Sequence, residues 1–141
     1  MQNPSATPGF GVAPAKSSTG LDANVAALLA YLLGLLGGIV FFVLEKESKY
    51  VKFHAMQSIL FNAGVAVLVI GLVIVSMIVQ LIASNVSSGL GVIVALLSTL
   101  IWVVIFIGIF VAAVMCLIKA YQGKMFKLPI IGNMAEKFAS K

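Results

Sequence analysis

With 141 residues and a net charge of +5, this chain is 62% hydrophobic and only 9% charged, against about 25% charged in soluble domains. A soluble fold of this size cannot cover so much apolar surface with so few polar groups, which excludes a soluble globular protein and indicates an integral membrane protein. The basic balance does not indicate nucleic acid, because the lysines flank apolar runs and no DNA- or RNA-binding motif is present.

Residues 1–20 are rich in Ser, Thr, Ala, Gly and Pro and contain Pro4, Pro8 and Pro14 with a single charge, Lys16. They lack the basic start, apolar stretch and small-residue cleavage site of a secretory signal. Their composition predicts a disordered tail.

The first apolar run, residues 25–44, has twenty residues without a charge. As one helix it would span about 30 Å, the thickness of a hydrocarbon core. Asp22 stands before it as the predicted N-cap. Ala26, Ala30, Gly34 and Gly38 recur at every fourth position with Gly37 alongside. That ridge suits close helix–helix packing.

The charged island Glu45–His54 carries every charge between Asp22 and Lys119 and the only histidine. A charged stretch between apolar runs belongs at a membrane surface. Glu45 is predicted to pair with Lys49 at helical spacing.

Two longer runs follow, residues 55–83 and 90–118. Each has 29 residues, or roughly 43 Å of helix, so each should tilt or project beyond the membrane. Ser84–Gly89, polar and uncharged, is the predicted turn between antiparallel neighbours. Along the second run His54, Ser58, Asn62, Ser76 and Gln80 fall within about 80° of one another on a helix, with Gln57 flanking them. Such a stripe should face inward, either as a hydrophilic path or as interhelical hydrogen bonding. The absence of Asp, Glu, Lys and Arg from the stripe favours hydrogen bonding. His54 has an intrinsic pKa suited to proton relay, but a single His beside lysines more often orients an interface. In the third run Gly108, Ala112, Cys116 and Ala120 form a second small-residue ridge for helix packing.

After Lys119, Gly123 is placed to end the helix, and Lys127–Gly132 interrupts the backbone pattern around Pro129. Asn133 with Glu136 forms an N-terminal capping pattern. Ile130, Met134 and Phe138 then recur at four-residue spacing beside Lys137 and Lys141. This predicts a short amphipathic helix over 133–139 lying on the inner membrane face.

Catalytic constellations are absent from the pattern. One His and one Cys cannot build a metal site, and no Cys-x-x-Cys or phosphate-loop spacing occurs. No catalytic, metal or cofactor site is expected, and an enzyme is not. With three spans, Lys46, Lys49, Lys52, Lys119, Lys124, Lys127, Lys137 and Lys141 share one side and Lys16 alone lies opposite. Positively charged flanks stay in the cytoplasm, which predicts an outside N-terminus and a cytoplasmic C-terminus in the cell membrane.

Three stretches carry a family resemblance: Leu21–Leu32, the island with Phe53-His54-Ala55-Met56-Gln57-Ser58, and Leu128-Pro129-Ile130-Ile131-Gly132. The chain resembles a group of small prokaryotic membrane proteins, itself distantly similar to the chloroplast inner-envelope import component of the Tic complex. The resemblance covers about residues 21–139 and marks His54 and Gln57 as motif positions. It implies a helical membrane fold and, through the chloroplast relative, a role in protein translocation. That relative has four spans where three are counted here.

The sequence therefore predicts an all-α integral membrane bundle over residues 21–141, with three transmembrane helices and a short C-terminal amphipathic helix. Its predicted partners are the lipid bilayer, including anionic head groups, and a homo-oligomer or membrane-protein partner, without nucleic acid. A non-enzymatic subunit or scaffold is the leading functional reading. The alternative is a small homo-oligomeric channel or transporter using the second-helix stripe.

Overall fold

The first apolar run, expected to cross the membrane as one helix, is broken in the middle. The computed structural model describes residues 16–141, which form α1 (Ala23–Leu32), α2 (Gly34–Leu44), α3 (Lys49–Val86), α4 (Ser88–Tyr121) and α5 (Ile131–Ala139). Among the described residues no strand occurs, only an isolated bridge between Lys16 and Asp22. The part of the expected tail formed by residues 1–15 lies outside the described residues.

The break has a local cause. Leu33 leaves helical geometry at φ −85°, ψ 5°, and Gly34 takes a left-handed φ of +61°. Glycine adopts that conformation without the penalty a Cβ would bring. Beyond the break the backbone comes back on itself. A Cβ on Gly37 would lie 2.8 Å from the Leu29 carbonyl oxygen, and one on Gly38 would lie 2.9 Å from that of Ala55 in α3. Ala26, Ala30 and Gly38 are buried, but they serve a doubled-back pair of helices and not a straight ridge. At 10 and 11 residues, α1 and α2 are each about 15–17 Å long, too short to cross about 30 Å of hydrocarbon. Among the described residues only α3 and α4 are long and apolar enough to cross a membrane. The count of three transmembrane helices is thereby corrected to two candidate spans and a broken pair.

Asp22 occupies the N-cap position of α1, but its side chain makes no capping hydrogen bond. The island is half helical. Ser48 starts α3, its Oγ accepting the Val51 N–H at 3.2 Å, which is the geometry of an N-cap serine. The expected six-residue turn shrinks to Ser87 alone. Ser84 and Asn85 donate back to Gln80 and Leu81 carbonyls of their own helix, so α3 runs on through them. Ser87 then caps α4 by accepting the Leu90 N–H. Gly123 follows α4 with φ +73°, as its position predicts. The last helix begins at Ile131, after Ile130 at φ 66°. Asn133 therefore sits inside α5 and does not cap it, and Glu136 pairs instead with Lys127 at 2.7 Å.

The chain divides into two compact units. Unit 1 comprises the residues up to Ala63 together with Ala113–Lys141; unit 2 is Gly64–Ala112. The core of unit 1 gathers Ala26, Ala27 and Ala30 with Phe41, Val51 and Ala120. There α5 buries Ala135 and Ala139 against Phe53, while Met134 and Phe138 on its other side are exposed. Unit 2 carries no charged residue, and only Ala83 and Gly91 are buried within it. Helices that face lipid need no further burial.

Candidate functional site

Unit 1 contains a buried polar cluster centred on His54 and Gln57, which α3 presents one turn apart. His54, Gln57 and Ser58 are completely buried. Tyr31 of α1 and the segment between α4 and α5 close the cluster. The His54 ring is ringed edge-on by Tyr31, Tyr50 and Phe53, at centroid separations of 5.7, 4.6 and 5.1 Å.

The hydrogen bonds set the direction of every proton. The Lys124 carbonyl can only accept, so His54 Nε2, 3.2 Å away, carries the ring hydrogen. Nδ1 is then the acceptor and takes the Tyr31 hydroxyl proton at 3.1 Å. Tyr31 in turn accepts from Gln57 Nε2 at 3.0 Å. That amide nitrogen also reaches the Phe126 carbonyl at 3.0 Å and, more weakly, the Cys116 sulfur at 3.7 Å. Gln57 Oε1 accepts the Leu128 N–H at 3.4 Å. Tyr50 donates its hydroxyl to the Ala120 carbonyl. His54 and Gln57 thus clip residues 124–128, a stretch with no helix of its own, onto α3. Among the described residues no buried side-chain nitrogen or oxygen lacks a partner.

The expected stripe is divided between the units. In unit 1, Ser58 Oγ lies between the Ala30 and Gly34 carbonyls at 2.8 and 3.2 Å, and Asn62 donates to the Ser58 carbonyl at 2.8 Å. In unit 2, Ser76 bonds the Val73 carbonyl of its own helix and Gln80 reaches the Gly91 carbonyl at 3.1 Å. Both line a groove of about 670 Å³ with Met77, Leu81, Ser98 and Trp102. The α4 ridge is divided as well. Cys116 and Ala120 are buried in unit 1, Ala112 is half-buried, and Gly108 meets nothing within 4 Å.

A second polar node lies at Glu45, which sits before α3 and is buried. Its carboxylate accepts the Ser17 and Ser18 hydroxyls, the Ser18 N–H at 3.1 Å and the Ser48 N–H at 2.9 Å. Burial alone would raise its pKa. The hydroxyl donors of Ser17 and Ser18 and the amides of Ser48 and Ser18 outweigh burial and bring it down to about 2. Ser18 Oγ closes the node by accepting the Lys46 N–H at 3.0 Å.

Sequence reasoning missed Tyr31, Tyr50, Ser17 and Ser18. The tyrosines carry a readable signal, since a hydroxyl inside an apolar run needs a partner. The serines carry none, because their partner lies 28 and 27 residues away across two helices.

Among the described residues no group of three or more His, Cys, Asp or Glu side chains could hold a metal ion.

A family model described as the magnetosome magnetite crystal formation protein family matches residues 19–135. A UPF0132 membrane protein of Methanocaldococcus jannaschii is 43% identical over 124 residues, covering 88% of this chain and 94% of the relative. One from Archaeoglobus fulgidus is 41% identical over 114 residues, covering 81% and 92%. A second from Methanocaldococcus jannaschii is 34% identical over 122 residues, covering 84% and 71%. No solved structure matches the chain. These relatives support the resemblance to a prokaryotic membrane protein family and lend nothing to the likeness with the Tic import component.

Proposed function

This chain belongs to the magnetosome magnetite crystal formation protein family, and from that premise we propose that it is a non-enzymatic structural subunit, or scaffold, of the cell membrane. Unit 1 keeps its lysines on the cytoplasmic side, against anionic lipid head groups. The observation that carries this reading is the closure of the His54–Gln57 cluster. Its donors and acceptors are spent on Tyr31 and on the backbone of residues 124–128. Such a cluster positions chain segments and leaves no group aimed at a substrate.

The family's description names magnetite crystals. Contact with iron mineral favours clustered carboxylates, which suit hard cations. This chain has four acidic residues; Glu45 is enclosed by serines and Glu136 is paired with Lys127. The geometry therefore favours a membrane scaffold over a mineral surface. The translocation role implied by the chloroplast resemblance has no support in the relatives and is not carried further.

A homo-oligomeric channel is the second reading. It draws on Ser76 and Gln80, which line the unit 2 groove. Two measurements separate the readings. A scaffold co-purifies from native lipid with a partner in fixed stoichiometry, read by mass spectrometry. The pure protein in liposomes passes neither ions nor small solutes. Sustained flux without a partner would sink the scaffold reading.

A further inference from the structure

We propose that α1 and α2 form a re-entrant hairpin, which enters and leaves the membrane on the lysine-bearing face, so that the chain crosses the bilayer twice. This inference rests on the membrane reading above and changes the side assigned to the chain's start. A straight twenty-residue helix would separate its ends by about 30 Å. Here the ends touch: Ser17 and Ser18, before α1, bond to Glu45, after α2. The start of α1 is tied independently to the end of α4 by Asn24 Nδ2, which donates to the Tyr121 carbonyl at 3.0 Å. The start of α3 is tied to the same place through Tyr50 and Ala120. Residues 16–24, the island and the C-terminal end of α4 therefore gather at one end of unit 1.

The apex of the hairpin shows how such a fold survives in lipid. Non-helical backbone at membrane depth is tolerated only where protein satisfies its polar groups. The break at Leu33–Gly34 leaves the Ala30 carbonyl, in the last turn of α1, without its helical N–H, and the Ser58 hydroxyl lies 2.8 Å from it and 3.2 Å from the Gly34 carbonyl. A Cβ on Gly34 would lie 3.6 Å from Asn62 Oδ1. Ser58 and Asn62 stand about 14 and 20 Å along α3 from Lys49 at 1.5 Å per residue. The apex thus reaches only part of the way across. On this topology Lys16 joins the other eight lysines on one face, and the Ser87 connection of α3 and α4 is left bare on the other. That is the distribution the positive-inside rule favours.

The test uses the full chain with one added cysteine, Lys16→Cys, Lys46→Cys or Ser88→Cys, and a membrane-impermeant maleimide. The native Cys116 is buried and serves as the unlabelled control. Lys16→Cys and Lys46→Cys are expected to label in inverted vesicles only, and Ser88→Cys in intact cells only. Leu21→Cys repeats the first measurement if Lys16→Cys fails to accumulate. Labelling of Lys16→Cys from the Ser88→Cys side restores three spans and overturns the hairpin. Labelling of Lys16→Cys and Lys46→Cys together from outside keeps the hairpin and overturns only the cytoplasmic assignment. Release of the wild-type chain by alkaline carbonate overturns the membrane reading itself, and the hairpin with it.

Discussion

Units 1 and 2 are drawn from the same two long helices, yet they are held together by different means. Unit 1 contains every charge among the described residues, a doubled-back pair of short helices and two closed polar nodes. Unit 2 contains no charge, and Ala83 and Gly91 are its only buried residues. The difference follows from the solvent. In lipid an apolar side chain gains little by leaving the surface, so close packing is needed chiefly where polar groups must be matched. Tight fit in this chain therefore follows its polar groups, and sensitivity to substitution should follow them too.

The largest expected contrast is between two glycines. A Cβ at Gly38 would lie 2.8 Å from Ile59 Cγ1 and 2.9 Å from the Ala55 carbonyl, whereas one at Gly108 meets nothing within 4 Å. Gly38→Leu should cost about 3 kcal/mol or prevent folding, as overpacking against backbone does. Gly108→Leu should leave the thermal midpoint in detergent unchanged. Equal losses at both positions would show that unit 2 packs as tightly as unit 1. A changed oligomer size in Gly108→Leu alone would show that a second copy sits on α4.

Glutamines offer the next comparison. Gln57 holds four partners across unit 1, the Cys116 sulfur the weakest of them, and Gln80 one in unit 2. Gln57→Leu takes one partner from the Tyr31 hydroxyl, which keeps His54, and strands the Phe126 and Leu128 backbone groups, for a loss of about 2 kcal/mol. Protease should then cut the 124–128 segment faster. Gln80→Leu should cost about 0.6 kcal/mol, the average for a hydrogen bond between membrane helices. Unchanged cleavage in Gln57→Leu would mean that α5 packing against Phe53, not the clip, holds that segment.

Glu45 sharpens the comparison through pH. Its carboxyl is held at about 2 in the fold, below its ordinary 4.5. A lowered carboxylate contributes stability that is complete above the unfolded value and lost as pH falls through the folded one. Wild type should therefore exceed Glu45→Gln by about 1 kcal/mol at neutral pH, the scale of a helix cap. The two should converge as pH drops from 4.5 towards 2. Thermal midpoints at three pH values decide it; a constant gap would assign the effect to shape and not to charge.

What was legible in the sequence follows the same division. Apolar length located α3 and α4, since a long run without charge has few alternatives. The inward demand of polar residues in lipid singled out His54, Gln57 and Ser58. The break at Leu33–Gly34 was hidden, because a glycine ridge reads equally as helix packing or as a fold-back. The decision comes from Ser17, Ser18 and Ser58, whose partners are distant in sequence and leave no periodic trace. Asn133 and Glu136 had the spacing of a cap but not the place, because Pro129 and Ile130 start α5 two residues earlier.

The finest test substitutes the same residue twice on one helix. Ser58 and Ser76 both lie on α3 and both belong to the stripe read from the sequence. Ser58 Oγ serves the Ala30 carbonyl of α1, which the break has freed, and reaches the Gly34 carbonyl of α2, while Ser76 Oγ returns to the Val73 carbonyl of its own helix. The Val73 carbonyl lies in an unbroken helix, so Ser76→Ala should change stability by less than about 0.5 kcal/mol. Ser58→Ala leaves the Ala30 and Gly34 carbonyls without that hydroxyl and should cost about 0.6 kcal/mol or somewhat more. The sign of the difference matters more than its size. If Ser76→Ala proves the costlier of the two, the working polar surface lies in the unit 2 groove, and the channel reading gains what the scaffold reading loses.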